Sequence, residues 1–200
     1  MSDGLGNSIG QCIFSNASGP ESMCDFAVFE VDGHIVYNCI RSLVDEKNKE
    51  RKASLCKFDL SSLSGKYVHK KGASTEWTKG IIACAELHDR FSCGRTDSKE
   101  LMVFEGLNKT QFADRGDSGS LVIAHDLRNN RNNLLVLGMV SGGELELRED
   151  NSSANTQNLT SYSLGFSLNH AIDLFQKKFS NIDLHFDNDI KSSSSESDSE

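Results

Sequence analysis

The segment Gly116-Asp117-Ser118-Gly119-Ser120 is the part of the chain best suited to chemistry. Its glycines permit backbone conformations closed to other residues, so a serine between them can project its hydroxyl from a tight turn. The amides of Gly116 and Ser118 can then converge on one point and stabilise negative charge that develops on a carbonyl oxygen. The segment therefore predicts a serine nucleophile with an oxyanion hole, with an ordinary tight turn as the alternative.

The elements around this turn have the pattern of β-strands. Short runs rich in Val, Ile and Leu occur at 81–87, 101–104, 120–124 and 134–140. Turns that hold Asn, Asp and Gly separate these runs, and strands do not alternate with helices. We therefore expect an all-β fold.

One helix is expected near the end of the chain. Asn169 can cap it, and Ile172, Phe175 and Phe179 recur at intervals of three and four residues. This spacing would lay one apolar stripe on the strands. The polar segment 144–161, which precedes the helix, is expected to form a long surface loop.

Composition limits the class of protein. The chain has 200 residues, of which 37% are hydrophobic, so one domain with a sizeable core is expected and collagen, coiled coil and wholesale disorder are excluded. No run approaches the roughly 20 apolar residues of a membrane-spanning helix, and the polar start lacks the features of a signal peptide. A cytoplasmic chain is expected.

Charge is distributed unevenly along the chain. The net charge of -8 argues against a nucleic-acid or membrane partner. The acidic, serine-rich segment 181–200 has too few apolar residues to offset the entropy of ordering, and we expect it to be disordered. The polar, Gly/Ser-rich segment 1–23 is expected to be poorly ordered.

Metals and cofactors are not expected. The six cysteines include no C-x-x-C pair, and no cysteine and histidine cluster closely in the sequence. Without a signal peptide, free thiols are favoured over disulfides.

Several motifs, in order, resemble those of the chymotrypsin-like serine proteases. The chain has GDSGSLVIA, then LVLGMVSGG, then SYSLGFSL and the helix from Asn169. Earlier, KKGASTEWTKGIIA resembles K-x-G-x-x-T-G-x-T-x-G-x-V, with Glu76 in place of the second glycine. The resemblance covers roughly residues 24–180. It implies the C-terminal six-stranded Greek-key barrel of a double barrel, the last part of the first barrel, and a closing helix.

The same resemblance assigns roles to individual residues. Ser118 would be the nucleophile, the amides of Gly116 and Ser118 the oxyanion hole, and Asp25, which opens DFAVFEV, the residue that orients a histidine. Secreted members pair the aspartate before the serine with a freed amino terminus. No processing site is identifiable here, so Asp117 must find another partner.

Substrate contacts are implied in the same way. Ser141, Gly142 and Gly143 match the segment that pairs with the substrate backbone. Phe112, six residues before Ser118, falls at the base of the primary pocket. Basic-specific members have an acid there, so a trypsin-like preference is disfavoured.

The general base is the missing part. In this family the histidine precedes the aspartate by about 45 residues, whereas none of the 24 residues before Asp25 is histidine. We therefore expect a serine endopeptidase that lacks an N-terminal barrel segment and is inactive alone. The alternatives are an inactive pseudoprotease that serves as a peptide-binding or regulatory module, and an unrelated β-rich interaction protein.

Overall fold

Segments with alternating apolar residues form β-strands, and six of these strands close into one barrel. A computed structural model describes residues 10–16, 24–31, 43–57, 59–87, 101–126, 133–147 and 160–182. These ranges contain strands β1 (Gly10–Asn16), β2 (Phe26–Val31), β3 (Leu43–Val44), β4 (Glu50–Leu55), β5 (Tyr67–Gly72), β6 (Glu76–Leu87), β7 (Leu101–Gly106), β8 (Leu121–His125), β9 (Asn133–Leu147) and β10 (Thr160–Ser167). The helix α1 is Leu168–Lys178.

Six antiparallel strands close the barrel. Their order is β10-β7-β6-β5-β8-β9, and β9 pairs back with β10. Closure satisfies the strand edges that an open sheet would expose. Strand β4 joins β9 in parallel and carries β3 on its other side, while β1 and β2 form a separate two-stranded antiparallel sheet.

The core lies inside the barrel. Buried side chains from five of its strands and from the segment before β8 form one cluster that includes Val68, Ile82, Phe104, Phe112 and Val122. Removing these side chains from water supplies most of the drive for closure.

The helix packs on the two-stranded sheet through its apolar stripe. Phe175 of α1 is fully buried, and its ring meets Phe14 of β1 edge-on at 5.5 Å between centroids. The helix begins after Ser167 rather than at a cap by Asn169. The Asn169 amide instead donates to the carbonyl of Cys56, which ties α1 to the end of β4.

The expected all-β class, the six-stranded barrel and the C-terminal helix are confirmed. A double barrel is not shown, because the described strands outside the barrel form only β1–β2 and the β3–β4 extension.

Two expectations about order and loops differ from the structure. Residues 10–16 of the N-terminal segment form β1, whose Phe14 packs against Phe26, Phe175 and Phe179. The segment 144–161 is not all loop, since β9 runs to Leu147 and β10 starts at Thr160. The rest of segment 1–23 and residues 183–200 of the acidic tail lie outside the described residues.

Cys12, Cys24, Cys56 and Cys84 form no disulfide with one another. In the ranges described, no helix has the length and apolarity needed to cross a bilayer.

Candidate active site

The turn that carries Ser118 leads directly into β8. The amide of Asp117 donates to the carbonyl of Asp114, and the amide of Ser120 donates to the carbonyl of Asp117, both at 3.0 Å. Gly116 and Gly119 have φ of 96° and 86°, a left-handed backbone that favours glycine. The sequence GDSG is therefore what this turn requires, and Ser118 stands exposed between its two glycines.

Two amides of the turn remain available to a ligand. Gly116 and Ser118 are exposed, and within the described ranges their N–H groups donate to no protein acceptor. The amides next to them are paired: that of Asp117 donates to Asp114, and that of Gly119 donates to the carbonyl of Val140 at 2.8 Å. Exposed, unpaired amides on a fixed turn are the type of donor that stabilises an oxyanion.

The Ser118 hydroxyl contacts the strand expected to bind substrate. Its Oγ donates to the carbonyl of Ser141 at 3.2 Å. A β-carbon at Gly142, whose φ is 101°, would stand 2.7 Å from that Oγ. Gly142 therefore leaves the hydroxyl the room that any side chain would take.

The residues after Val140 leave the regular register of the barrel. Val140 pairs with Gly165 and Glu144 pairs with Ser163, so Ser141–Gly143 have no register partner on β10. A bulge of this kind re-aims the backbone and interrupts pairing. Ser118 contacts β9 from the other side, where the pairing of β9 with β8 ends at Met139 and the hydrogen bonds of Val140 to Gly119 and Ser120, so Ser141–Gly143 have no register partner on that side either.

A buried ion pair holds the turn from inside the barrel. Lys70 Nζ of β5 lies 2.9 Å from Asp117 Oδ2, and both side chains are completely buried. The ammonium also donates to Thr75 Oγ1 at 2.7 Å and lies 5.9 Å from the centroid of the Phe112 ring. Lys70 is therefore the partner of Asp117, which could not be identified from the sequence.

The turn between β5 and β6 completes the support of Asp117. The amides of Ser74 and Thr75 donate to Asp117 Oδ1 at 2.8 and 3.2 Å. The hydroxyl of Thr75 and the amide of Asp114 donate to Oδ2 at 2.7 and 3.0 Å. Burial opposes ionisation of Asp117, but these hydrogen bonds and Lys70 outweigh it and hold the pKa of the carboxyl far below its ordinary range.

Phe112 lies in the barrel core. Its ring is fully buried and packs against Phe104 at 5.2 Å between centroids, and its carbonyl accepts from the Thr78 hydroxyl at 2.6 Å. The residue anchors the segment that leads to Ser118. Its assignment as a substrate contact stays a prediction.

Asp25 is exposed directly before β2. Its neighbours Cys24 and Phe26 pack into one apolar cluster that also contains Met139 of β9. Met139 lies two residues before Ser141, whose carbonyl accepts from the Ser118 hydroxyl. The cluster therefore joins the start of β2, where Asp25 lies, to the strand that Ser118 contacts. The role of Asp25 stays a prediction.

No histidine in the described part of the chain is hydrogen-bonded to Ser118. His69 and His125 both approach Glu46, and His170 lies on α1. His34, His88 and His185 lie outside the described residues.

A closed β-barrel whose glycine turn presents a serine beside a strand segment without register partners is an arrangement suited to peptide hydrolysis. The comparison with protein families agrees with this class, since the model of peptidase family S64 matches residues 7–148, well over half of the chain. The chain therefore belongs to peptidase family S64. No curated protein matches it.

The family match confirms the expected peptidase. It does not confirm the chymotrypsin-like family, because the model that matches is that of family S64. The matched range contains Asp25, Ser118 and Ser141–Gly143, and it ends before β10 and α1.

Lys70 and Thr75 are the site residues that sequence reasoning missed. Lys70 stands in a polar Lys-Lys-Gly sequence that resembles a solvated turn. The usable signal was Asp117, because the resemblance predicts that this acid is buried and a buried acid needs a cation as its partner.

Proposed function

We propose that this chain carries the nucleophile and oxyanion hole of a serine endopeptidase, with Ser118 as the residue that is acylated. The observation that carries the proposal is the turn at 116–118, which combines the exposed hydroxyl of Ser118 with two amides, of Gly116 and Ser118, that have no acceptor in the described residues. An exposed serine hydroxyl with free amides in the same turn can form a covalent acyl intermediate when a general base is present.

The reaction would follow from these positions. Ser118 Oγ attacks the carbonyl carbon of the scissile bond and passes its proton to a general base. The amides of Gly116 and Ser118 hold the negative oxygen of the tetrahedral intermediate. The carbon–nitrogen bond then breaks, the base returns its proton to the leaving amine, and water hydrolyses the ester on Ser118 by the same steps.

The backbone of Ser141–Gly143 would bind the substrate. Strand β9 pairs with the β8 side only as far as Val140, so Ser141–Gly143 have no register partner there and an extended peptide can add to them as a further strand. The Ser118 hydroxyl already lies against the carbonyl of Ser141, which would bring the paired peptide close to the nucleophile. With Phe112 where basic-specific proteases have an acid, a preference other than Lys or Arg is proposed.

The general base would be a histidine supplied from outside the described residues. Asp25 is the proposed partner of that histidine, because the cluster of Cys24, Phe26 and Met139 places β2 and β9 in one packing unit. A barrel segment that brings the histidine to Ser118 would complete the site.

A fluorophosphonate probe tests this proposal in the endogenous protein. Covalent labelling is expected at Ser118, with a peptide that carries the adduct identified by mass spectrometry. The Ser118→Ala allele removes the nucleophile and the neighbouring Ser120→Ala allele is the matched control, which should still label. Equal labelling of the wild type and Ser118→Ala would contradict the assignment.

A second candidate is a pseudoprotease that binds peptides without cleaving them. The observation in its favour is that the Ser118 hydroxyl donates to a backbone carbonyl and to no imidazole in the described chain. This candidate predicts no fluorophosphonate labelling, but it predicts binding of extended peptides that Gly142→Ala weakens.

A further inference from the structure

Three side chains that are far apart in the sequence meet beside the barrel. Glu46 lies in the turn between β3 and β4, His69 on β5 and His125 at the end of β8. One ligand atom from each lies within 4.8 Å of the other two. The register explains the pair of histidines, since His69 stands opposite Ile123 and His125 is two residues further along the same face.

The distances in this cluster, Glu46–His69–His125, suit shared coordination. Glu46 Oε2 lies 3.2 Å from His125 Nε2 and 3.7 Å from His69 Nε2. The two imidazole rings meet edge to face at 5.0 Å between centroids. Ligand atoms bonded to tetrahedral zinc at 2.0–2.1 Å stand about 3.3 Å from one another, so small side-chain shifts would bring all three onto one ion.

His69 has an unmet requirement that a metal would satisfy. The residue is only 6% exposed, and its Nε2 has no hydrogen-bond partner among the described residues. Buried polar atoms are nearly always paired, and each exception needs an explanation. The unpaired nitrogen faces the Glu46 carboxylate, which is where an ion would bind.

The cluster joins one carboxylate to two imidazoles, a combination whose charge a cation would balance. Burial lowers the pKa of His69, and the Glu46 carboxylate opposes this. Burial opposes ionisation of Glu46, but its hydrogen bonds and the histidines outweigh this and lower its pKa. Lys79 Nζ is 4.0 Å from Glu46 Oε1, but its side chain is 56% exposed and can move into solvent.

The cluster borders open space. A cavity of about 880 Å³ is lined by all three residues together with apolar side chains such as Val68, Leu135 and Leu137. An ion can enter from this cavity, and water can supply a fourth ligand there.

We propose that Glu46, His69 and His125 form a zinc-binding site that fastens the β3–β4 turn to the barrel. Two imidazoles and one carboxylate are a donor set that zinc accepts, whereas magnesium and calcium prefer oxygen alone. The ligands come from three separate elements, so bound zinc would stabilise their packing. This site is independent of Ser118 and of the proposed peptidase mechanism.

Titration of the complete, chelator-treated chain with Zn²⁺ tests the proposal. Calorimetry is expected to give one site per chain, and Co²⁺ in its place should give the intense visible absorption of tetrahedral coordination. His69→Ala and Glu46→Gln should each weaken Zn²⁺ binding at least about 100-fold, since even supporting residues of zinc sites contribute 10- to 100-fold. His170→Ala, a histidine outside the cluster, should bind as the wild type does.

Thermal unfolding provides a second readout. Zn²⁺ should raise the melting temperature of the wild type and of His170→Ala, and should leave that of Glu46→Gln unchanged. Glu46→Gln keeps the side-chain shape, so it serves if His69→Ala fails to fold. Absence of a wild-type site, an octahedral Co²⁺ spectrum, or equal binding by Glu46→Gln would overturn the proposal.

Discussion

Lys70 Nζ and Asp117 Oδ2 lie 2.9 Å apart in the barrel interior, and neither side chain is exposed to solvent. The two residues are 47 positions apart, so this contact joins β5 to the turn of Ser118. Asp117 precedes Ser118 directly, which means that the ion pair fixes the backbone whose amides would form the oxyanion hole. The cation that holds the turn is thus a lysine of the barrel itself.

Lys70→Met should destabilise the fold strongly, because it leaves the Asp117 carboxylate buried without its cation. Loss of one partner from a buried pair costs about 3–5 kcal/mol. Urea unfolding followed by fluorescence measures this cost, and Lys71→Met is the matched control. The Lys71 side chain is 50% exposed, and its ion pair with Glu76 is long at 3.9 Å. Loss of Lys71 should therefore lower the free energy of unfolding by less than about 1 kcal/mol.

The double variant Lys70→Met/Asp117→Asn tests whether the charge is the cause. It should be less destabilised than the sum of the two single variants, because it buries no unpaired charge. Additive costs would show that the two side chains act separately.

Acid should weaken the wild type through Asp117. The pKa of this carboxyl is lowered in the folded state from its ordinary value of 3.8, so the unfolded chain binds more protons below about pH 5. The stability that Asp117 contributes is complete above that pH and is lost as pH falls through 3.8 towards the lower folded pKa. The urea midpoint of the wild type should therefore fall more steeply than that of Asp117→Asn between pH 5 and about pH 2. Parallel curves would contradict this linkage.

Gly72→Ala should disturb the same network by crowding. A β-carbon at position 72 would overlap Asp117 Oδ1 and lie 2.7 Å from Lys70 Nζ. We expect a loss of at least about 3 kcal/mol in unfolding free energy, since the ion pair must shift. Gly65→Ala is the control: its φ of 77° makes alanine unfavourable by roughly 1–2 kcal/mol, but its β-carbon would meet no atom within 4 Å. A cost no greater at Gly72 than at Gly65 would contradict the crowding.

The strands were predictable where apolar residues alternate and turn residues separate them, as at β7, β8 and β9. The strand at Gly10–Asn16 was missed because its sequence is polar and it is stabilised by Phe14 packing against distant aromatics. The ELEL alternation that extends β9 to Leu147 was a usable signal.

The site was predictable only as far as its motif extends. Gly116, Ser118 and the strand at Ser141 are adjacent to recognisable sequences. The pair Lys70–Asp117 and the cluster of Glu46, His69 and His125 are not, because their members come from separate strands and turns that only the folded barrel brings together.

Glu76→Gly should be neutral or stabilising, which is unusual for a strand residue. Glu76 has φ of 53° at the point where the resembling proteases have glycine. Relief of left-handed strain is worth roughly 1–2 kcal/mol, which the greater freedom of glycine in the unfolded chain partly offsets. The Glu76 side chain is 71% exposed and forms only a 3.9 Å pair with Lys71. Thermal unfolding should show a melting temperature equal to or above that of the wild type, and Glu76→Ala, which keeps the strain, should show no gain.

Gly142→Ala should impair the nucleophile more than the fold. The added β-carbon would lie 2.7 Å from Ser118 Oγ, and the φ of 101° is unfavourable for alanine. The hydroxyl must then leave the carbonyl of Ser141 or the strand must move, so the rate of fluorophosphonate labelling should fall at least tenfold while unfolding costs only about 1–2 kcal/mol. Gly65→Ala matches the conformational cost away from the site and should label at the wild-type rate. If Gly142→Ala also labels at that rate, the strand after Val140 does not border the reacting hydroxyl.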